Sequence, residues 1–141
     1  MRLVPVAGDG NCFFHSIAYG LKTNHKVLRE MCALFVRECP DHKIQDAPVA
    51  DWIRWESERD VMSYSKRMRQ NGIWGGAIEI SCLCHMLNLI IEVYVRVNHT
   101  KFRRIARFEY EQCHDIHGDA KPKIIKICYT GAHFDALVDE P

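Results

Sequence analysis

The chain has 141 residues, of which 48% are hydrophobic and 26% are charged, which suits one globular domain with its own core. A formal net charge of +1 gives no bulk basicity of the kind that indicates a nucleic-acid partner. Residues 1–10 lack the apolar run of a signal peptide, and the most apolar segment, 83–97, is too interrupted to span a membrane. We therefore expect a single domain over residues 1–141, monomeric and cytoplasmic, with free thiols and no membrane or nucleic-acid partner.

The first half of the chain has helical periodicity. A short strand at residues 3–6 leads into a turn, and the helices predicted after it are residues 12–21, residues 24–40, residues 57–69 and residues 77–87. In the second helix the predicted core face consists of Val27, Leu28, Met31, Leu34 and Phe35. Trp52 and Trp55 fall in a region that proline interrupts, which predicts a short helix or a loop.

The second half of the chain changes to a period of two. The strands predicted there are residues 90–97, residues 102–110, residues 124–129 and residues 133–138. Residues 71–76 and 113–122 are predicted loops. Helices followed by strands, without a repeat or a linker, predict an α+β fold in one domain.

A cysteine at a predicted helix start is the first candidate functional residue. The sequence Asp-Gly-Asn-Cys at residues 9–12 is a turn that runs directly into the first helix. A helix start carries unpaired N–H groups and a partial positive charge, and both favour a thiolate at Cys12. The same N–H groups could stabilise the oxyanion of an acyl-transfer intermediate.

A nucleophilic cysteine needs a base, and the base needs a partner that orients it. His133 and Asp135 alternate on the last predicted strand, so their side chains share a face. Asp135 could then hold one nitrogen of the imidazole while the other meets Cys12. His15 is an alternative base three positions after Cys12, and Asp9 competes with Asp135 as the third member.

A zinc site is the other reading of the cysteines and histidines. Two clusters contain plausible ligands, namely Cys82, Cys84 and His85, and Cys113, His114 and His117. A repeated Cys-x-x-Cys pair at structural-zinc spacing is absent, and buried thiols explain Cys82 and Cys84 better. We therefore expect no metal and no cofactor.

Three motifs, taken together, resemble the ovarian tumour (OTU) family of cysteine proteases. The Asp-Gly-Asn-Cys-Phe-Phe-His-Ser sequence of residues 9–16 resembles the family's nucleophile motif, and His-Phe-Asp at residues 133–135 resembles its closing motif. Residues 72–76, with Glu79 after them, are similar to the family's internal Trp-Gly segment. The motifs occur in the family's order across most of the chain, whose short length would suit a compact viral or parasite domain.

The resemblance implies a papain-like α+β fold that hydrolyses the isopeptide bond at the C-terminus of ubiquitin or a ubiquitin-like modifier. It implies Cys12 as nucleophile, His133 as general base and acid, and Asp135 as the residue that orients His133. It implies an oxyanion hole from the backbone of Asp9, Gly10, Asn11 and Cys12, with the Asp9 side chain supporting that loop.

The internal segment would face the substrate. By resemblance, Trp74 would lie near His133, where the Gly-Gly tail of ubiquitin enters. Gly75 and Gly76 would leave that slot unobstructed, although the same glycines could simply permit a tight turn. Two alternatives remain, namely a catalytically inactive ubiquitin-binding module on the same fold and a small zinc-binding interaction domain.

Overall fold

The computed structural model describes residues 1–110 and 116–140. Five helices are found there: α1 (Cys12–Leu21), α2 (His25–Glu38), α3 (Val49–Ser57), α4 (Val61–Met68) and α5 (Ala77–Leu87). The strands are β1 (Arg2–Val4), β2 (Lys43–Ile44), β3 (Ala47–Pro48), β4 (Leu89–Arg96), β5 (Phe102–Phe108), β6 (Lys123–Tyr129) and β7 (Phe134–Val138). The predicted α+β class is confirmed.

A five-stranded mixed sheet has the order β1-β7-β6-β4-β5. Only the β4–β6 pair is parallel, and the long connection between these strands includes the antiparallel strand β5. The first and last strands are antiparallel neighbours, with Arg2 opposite Val138. The short hairpin of β2 and β3 was not predicted, because two-residue strands leave no periodic signal.

Helix α1 lies at the centre of the core. Its residues Phe13, Phe14 and Ile17 are completely or almost completely buried, and it packs on β6, β7 and α2. An N-terminus held this firmly gives a fixed position to the residue that begins the helix, which is Cys12.

The predicted helix over residues 57–69 is wrong in its first turn. Helix α3 ends at Ser57, and Glu58 takes the left-handed conformation with φ 59°. A new helix then begins after Asp60, whose side chain accepts a 2.7 Å hydrogen bond from the N–H of Ser63. Asp60 is thus an N-cap that the apolar spacing concealed. Trp52 and Trp55 lie on α3.

The core face of α2 is rotated from the predicted one. Val27 and Leu34 were expected inside, but they are 51% and 41% exposed. The buried residues are Leu28, Arg29, Cys32, Ala33 and Val36. Small residues let α2 approach its neighbours closely, and the buried arginine finds polar partners, so burial here does not follow hydrophobicity.

The last strand begins one residue later than predicted, so His133 directly precedes β7. Residues 113–115 of the predicted loop lie outside the described residues. Within residues 1–110 and 116–140, no helix has the length and apolar character needed to cross a bilayer.

Candidate active site

Cys12 begins α1 and is buried, with 3% of its surface exposed. Its Sγ accepts a hydrogen bond from the backbone N–H of Phe134 at 3.4 Å. That N–H belongs to the residue immediately after His133. The structure therefore brings the start of the first helix to the start of the last strand, where the predicted base lies.

His133 and Asp135 are in direct contact. Nε2 of His133 lies 2.7 Å from Oδ1 of Asp135, so the protonated Nε2 donates to the carboxylate. The same oxygen accepts from the N–H of Val6 at 3.0 Å, and Asp135 is buried. Two donors fix the carboxylate, which in turn fixes the ring. Nδ1 remains on the side of Gly8, whose added Cβ would lie 3.6 Å from it.

The loop before Cys12 is organised by the side chain of Asp9. Oδ1 of Asp9 accepts from the N–H of Asn11 at 3.1 Å, and this bond holds the pKa of the Asp9 carboxyl below its ordinary value. The N–H of Asn11 is therefore occupied, and it does not suit the predicted oxyanion hole. Among the described residues, the N–H groups of Gly10 and Cys12 have no hydrogen-bond partner.

Gly10 is a position that needs glycine for two reasons. Its φ is +83°, in the left-handed region, and a Cβ there would collide with the carbonyl oxygen of Gly72. The turn of residues 9–11 thus lies directly on the backbone of the internal segment. Two of the motifs that are far apart in the sequence are in contact at this point.

Arg29 is a residue that sequence reasoning missed. It is 4% exposed, and its Nη2 donates to the side-chain oxygen of Asn11 at 2.8 Å. The N–H of Gly72 donates to the same oxygen at 2.8 Å. The available signal was an arginine between apolar positions of an amphipathic helix. It was missed because the predicted core face of α2 did not include this position.

The three predicted substrate-binding residues have different surroundings. Trp74 is 51% exposed and lines a pocket of about 360 Å³ together with Arg59 and Arg67. Gly75 packs against the ring of Phe13, where a Cβ would collide, whereas a Cβ on Gly76 would meet no atom within 4 Å. Core packing therefore explains the glycine at 75, and only position 76 is open.

The side chain of Glu79 binds the backbone of the internal segment, residues 72–76. Its carboxylate accepts from the N–H of Gly76 at 2.8 Å and from the hydroxyl of Tyr64 at 2.5 Å. Glu79 is buried, and burial raises the pKa of its carboxyl to about 7, against the opposing effect of these hydrogen bonds. The backbone of Gly76 is thus tied to the first turn of α5.

The alternative base and the candidate metal ligands make other contacts. The rings of His15 and His25 are tilted by 33°, with their centroids 3.8 Å apart, and Nε2 of His15 is 3.9 Å from Oδ2 of Asp9. Burial raises the pKa of the thiols of Cys82 and Cys84. Within the described part of the chain, no group of three or more candidate ligands could hold a metal ion. The predicted ligands Cys113 and His114 lie outside the described residues.

A buried cysteine at a helix start accepts a hydrogen bond from the residue that follows a histidine held by a carboxylate. A cysteine, a histidine and a carboxylate are the residue types of a cysteine-protease triad. Residues 7–134 match the family model described as OTU-like cysteine protease. The chain belongs to that family, and the resemblance inferred from the three motifs is confirmed.

Curated relatives include two enzymes with longer chains. OVARIAN TUMOR DOMAIN-containing deubiquitinating enzyme 4 of Arabidopsis thaliana is 28% identical over 144 residues, which cover 96% of this chain and 43% of that protein. Ubiquitin thioesterase OTU1 of Saccharomyces cerevisiae is 29% identical over 138 residues, which cover 94% of this chain and 38% of that protein. This chain therefore spans less than half the length of either relative.

A solved structure of an OTU domain in complex with ubiquitin has a TM-score of 0.68 to this fold. It is 26% identical in sequence, and the match covers 96% of this chain and 67% of that chain. The predicted OTU-type fold is confirmed.

Proposed function

We propose that this chain is a cysteine-type deubiquitinase, which hydrolyses the peptide or isopeptide bond after the C-terminal glycine of ubiquitin or a ubiquitin-like modifier. The observation that carries the proposal is the contact of the Cys12 loop with the His133–Asp135 pair, through the hydrogen bond from Phe134 to Cys12. The names of the two curated relatives and the ubiquitin complex of the structural relative supply the substrate class.

In the proposed mechanism, His133 takes the proton of Cys12, and the thiolate attacks the carbonyl carbon of the terminal glycine. The N–H groups of Cys12 and Gly10 donate to the resulting oxyanion. His133 then gives its proton to the leaving lysine amine as the C–N bond breaks, which leaves a thioester. Water, deprotonated by His133, attacks the thioester and regenerates the thiol. Asp135 keeps the imidazole oriented throughout.

Replacement of Cys12 and His133 tests this mechanism. Cys12→Ala should abolish cleavage of di-ubiquitin and leave ubiquitin binding intact, because only the nucleophile is lost. His133→Ala should lower kcat on the order of 100- to 10,000-fold, the usual contribution of general acid–base catalysis. The measurement is turnover on a panel of linkage-defined di-ubiquitins and ubiquitin-like substrates. Cleavage by purified Cys12→Ala would refute the mechanism, and unchanged turnover by His133→Ala would point to His15.

An electrophile at the C-terminus of ubiquitin separates the enzyme from a binding module on the same fold. A competent nucleophile becomes covalently attached to the probe, and Cys12→Ala does not. Binding of ubiquitin by the wild type without covalent capture would support the inactive module instead.

A further inference from the structure

Arg29 makes polar and aromatic contacts with three separate parts of the molecule. Its Nη2 donates to the side chain of Asn11, and its Nη1 donates to the carbonyl oxygen of Met68 at 3.0 Å, at the end of α4. Its guanidinium carbon lies 4.6 Å from the centroid of the Phe14 ring, on α1. A cation from α2 therefore holds α1, α4 and the loop before Cys12 together.

Burial of the Arg29 guanidinium is energetically unfavourable, so the need to fill the space does not by itself explain an arginine at this position. Within the described residues, its Nε is buried without a hydrogen-bond partner. A buried charged group is unfavourable unless it is well paired, and an apolar residue of similar volume would fill the space without that penalty. What the arginine provides is a charge-assisted hydrogen bond to one particular side chain, that of Asn11.

The position of Asn11 determines the direction of a candidate oxyanion-hole donor. The N–H of Cys12 belongs to the peptide plane between Asn11 and Cys12, which turns as a rigid unit. Asn11 has φ −102° and ψ 6°, outside the helical region, and its own side chain does not cap the helix. Its side-chain oxygen instead receives two hydrogen bonds, from Arg29 and Gly72.

We propose that Arg29 is a positioning residue for catalysis: through the side chain of Asn11 it holds the Asn11–Cys12 peptide so that the N–H of Cys12 points at the transition-state oxyanion. This proposal rests on the proposed hydrolase function. It gives Arg29 no contact with substrate, and it predicts a loss of turnover without a loss of ubiquitin binding.

The test compares two reactions of the same thiol. Hydrolysis of ubiquitin 7-amido-4-methylcoumarin passes through an oxyanion, whereas alkylation of Cys12 by iodoacetamide does not. Arg29→Met should lower kcat about 10- to 100-fold with KM little changed, less than the roughly 100- to 1,000-fold that loss of an oxyanion donor itself costs. Its alkylation rate should stay within about twofold of the wild type, because the thiol environment is retained.

Ser65→Ala is the matched structural control. Ser65 is buried on α4, and its hydroxyl donates to the carbonyl oxygen of Ala33 at 2.7 Å, so it ties α4 to α2 without touching Asn11. Ser65→Ala should lower Tm and leave the ratio of the two rates unchanged. Arg37→Met, at a partly exposed arginine of α2 that pairs with Glu38, should change neither rate. Arg29→Lys, which retains the charge and a donor, should recover part of kcat.

A double-mutant cycle asks whether Arg29 acts through Asn11. Asn11→Ala should lower kcat, and adding Arg29→Met to it should lower kcat by no more than about twofold further, because the contact is already lost. Multiplicative losses would overturn the proposal. Parallel falls of hydrolysis and alkylation in Arg29→Met would overturn it as well. If that variant does not fold, unchanged kcat in Asn11→Ala would overturn the proposal, because that variant also removes the contact. A wild-type protein without hydrolysis would refute the proposed function instead.

Discussion

At the scale of single residues, the buried carboxyl of Glu79 has an unusual pKa. Its pKa of about 7 lies above the ordinary value of 4.5 because burial disfavours the charged form. Between these two values, the unfolded chain releases the proton while the folded chain keeps it. The contribution of Glu79 to the free energy of unfolding therefore falls as pH rises from 4.5 to about 7.

Replacement of Glu79 by glutamine should remove this dependence. The amide can accept from the N–H of Gly76 and does not titrate, so Glu79→Gln should become more stable relative to the wild type between pH 5 and pH 8, by at most about 3 kcal/mol. Urea unfolding at several pH values measures the difference. Glu30→Gln, at an exposed carboxylate that pairs with Arg69, is the control. The difference in free energy of unfolding between Glu30→Gln and the wild type should change little with pH. If the difference in free energy of unfolding between Glu79→Gln and the wild type does not vary with pH, the expected linkage is contradicted.

Single residues also mark the limit of prediction from sequence. Helix-start chemistry and strand alternation made Cys12, His133 and Asp135 candidates, because each signal is local. Those signals left His15 and Asp9 as alternatives, and the catalytic roles stay predictions. The environment of Arg29 depends on a contact 18 residues away and on the true core face of α2, and neither has a local signal. The occupied N–H of Asn11 was equally hidden, since the Asp9 side chain could have turned elsewhere.

At the scale of elements, the three sequence motifs meet at one aromatic ring. Phe13, which follows Cys12, packs edge-on against Phe134, which follows His133, with centroids 5.5 Å apart. Gly75 of the internal segment lies against the same ring. This contact contributes to the spacing between helix α1 and strand β7, and so between Cys12 and His133. The motifs do not predict the contact between Phe13 and Phe134, because in the sequence both residues are simply apolar positions.

A methyl group at Gly75 should disturb this arrangement. Its Cβ would lie 2.8 Å from Cε2 of Phe13, so the ring must move, and Gly75→Ala should cost about 1–3 kcal/mol of stability with a loss of kcat. At the open position next to it, Gly76→Ala should cost less than about 1 kcal/mol, the scale of a helix-cap change. Chemical unfolding and turnover of both variants provide the comparison. Equal losses of stability at the two positions would show that the Phe13 contact does not matter.

At the scale of the whole molecule, the first strand completes the site. Strand β1 pairs with β7 at the edge of the sheet, and Val6, just after β1, donates to Asp135. The prediction of a strand near residues 3–6 came from the apolar pattern, but its pairing with the last strand did not. Long-range pairing of an edge strand depends on topology, which a periodic pattern does not encode.

Removal of residues 1–6 should therefore damage the site as well as the sheet. Asp135 loses one of its two donors and β7 loses its outer partner, so we expect a lower Tm and a loss of kcat of about tenfold or more, since hydrogen bonds to charged groups contribute roughly 1.5–3 kcal/mol. Val6→Ala keeps the N–H and is the control, with kcat near that of the wild type. Retained kcat in the folded truncated protein would show that Val6 is dispensable for orienting Asp135.

The pairing of β1 with β7 also makes the fold a candidate for circular permutation. Adjacent strands lie about 5 Å apart, so a few added residues could join the region of Asp139 to that of Met1. A new opening in the exposed turn at 98–101, between β4 and β5, would interrupt no strand. In such a chain the histidine would precede the cysteine by a short stretch, in reversed order, with every hydrogen bond of the site retained.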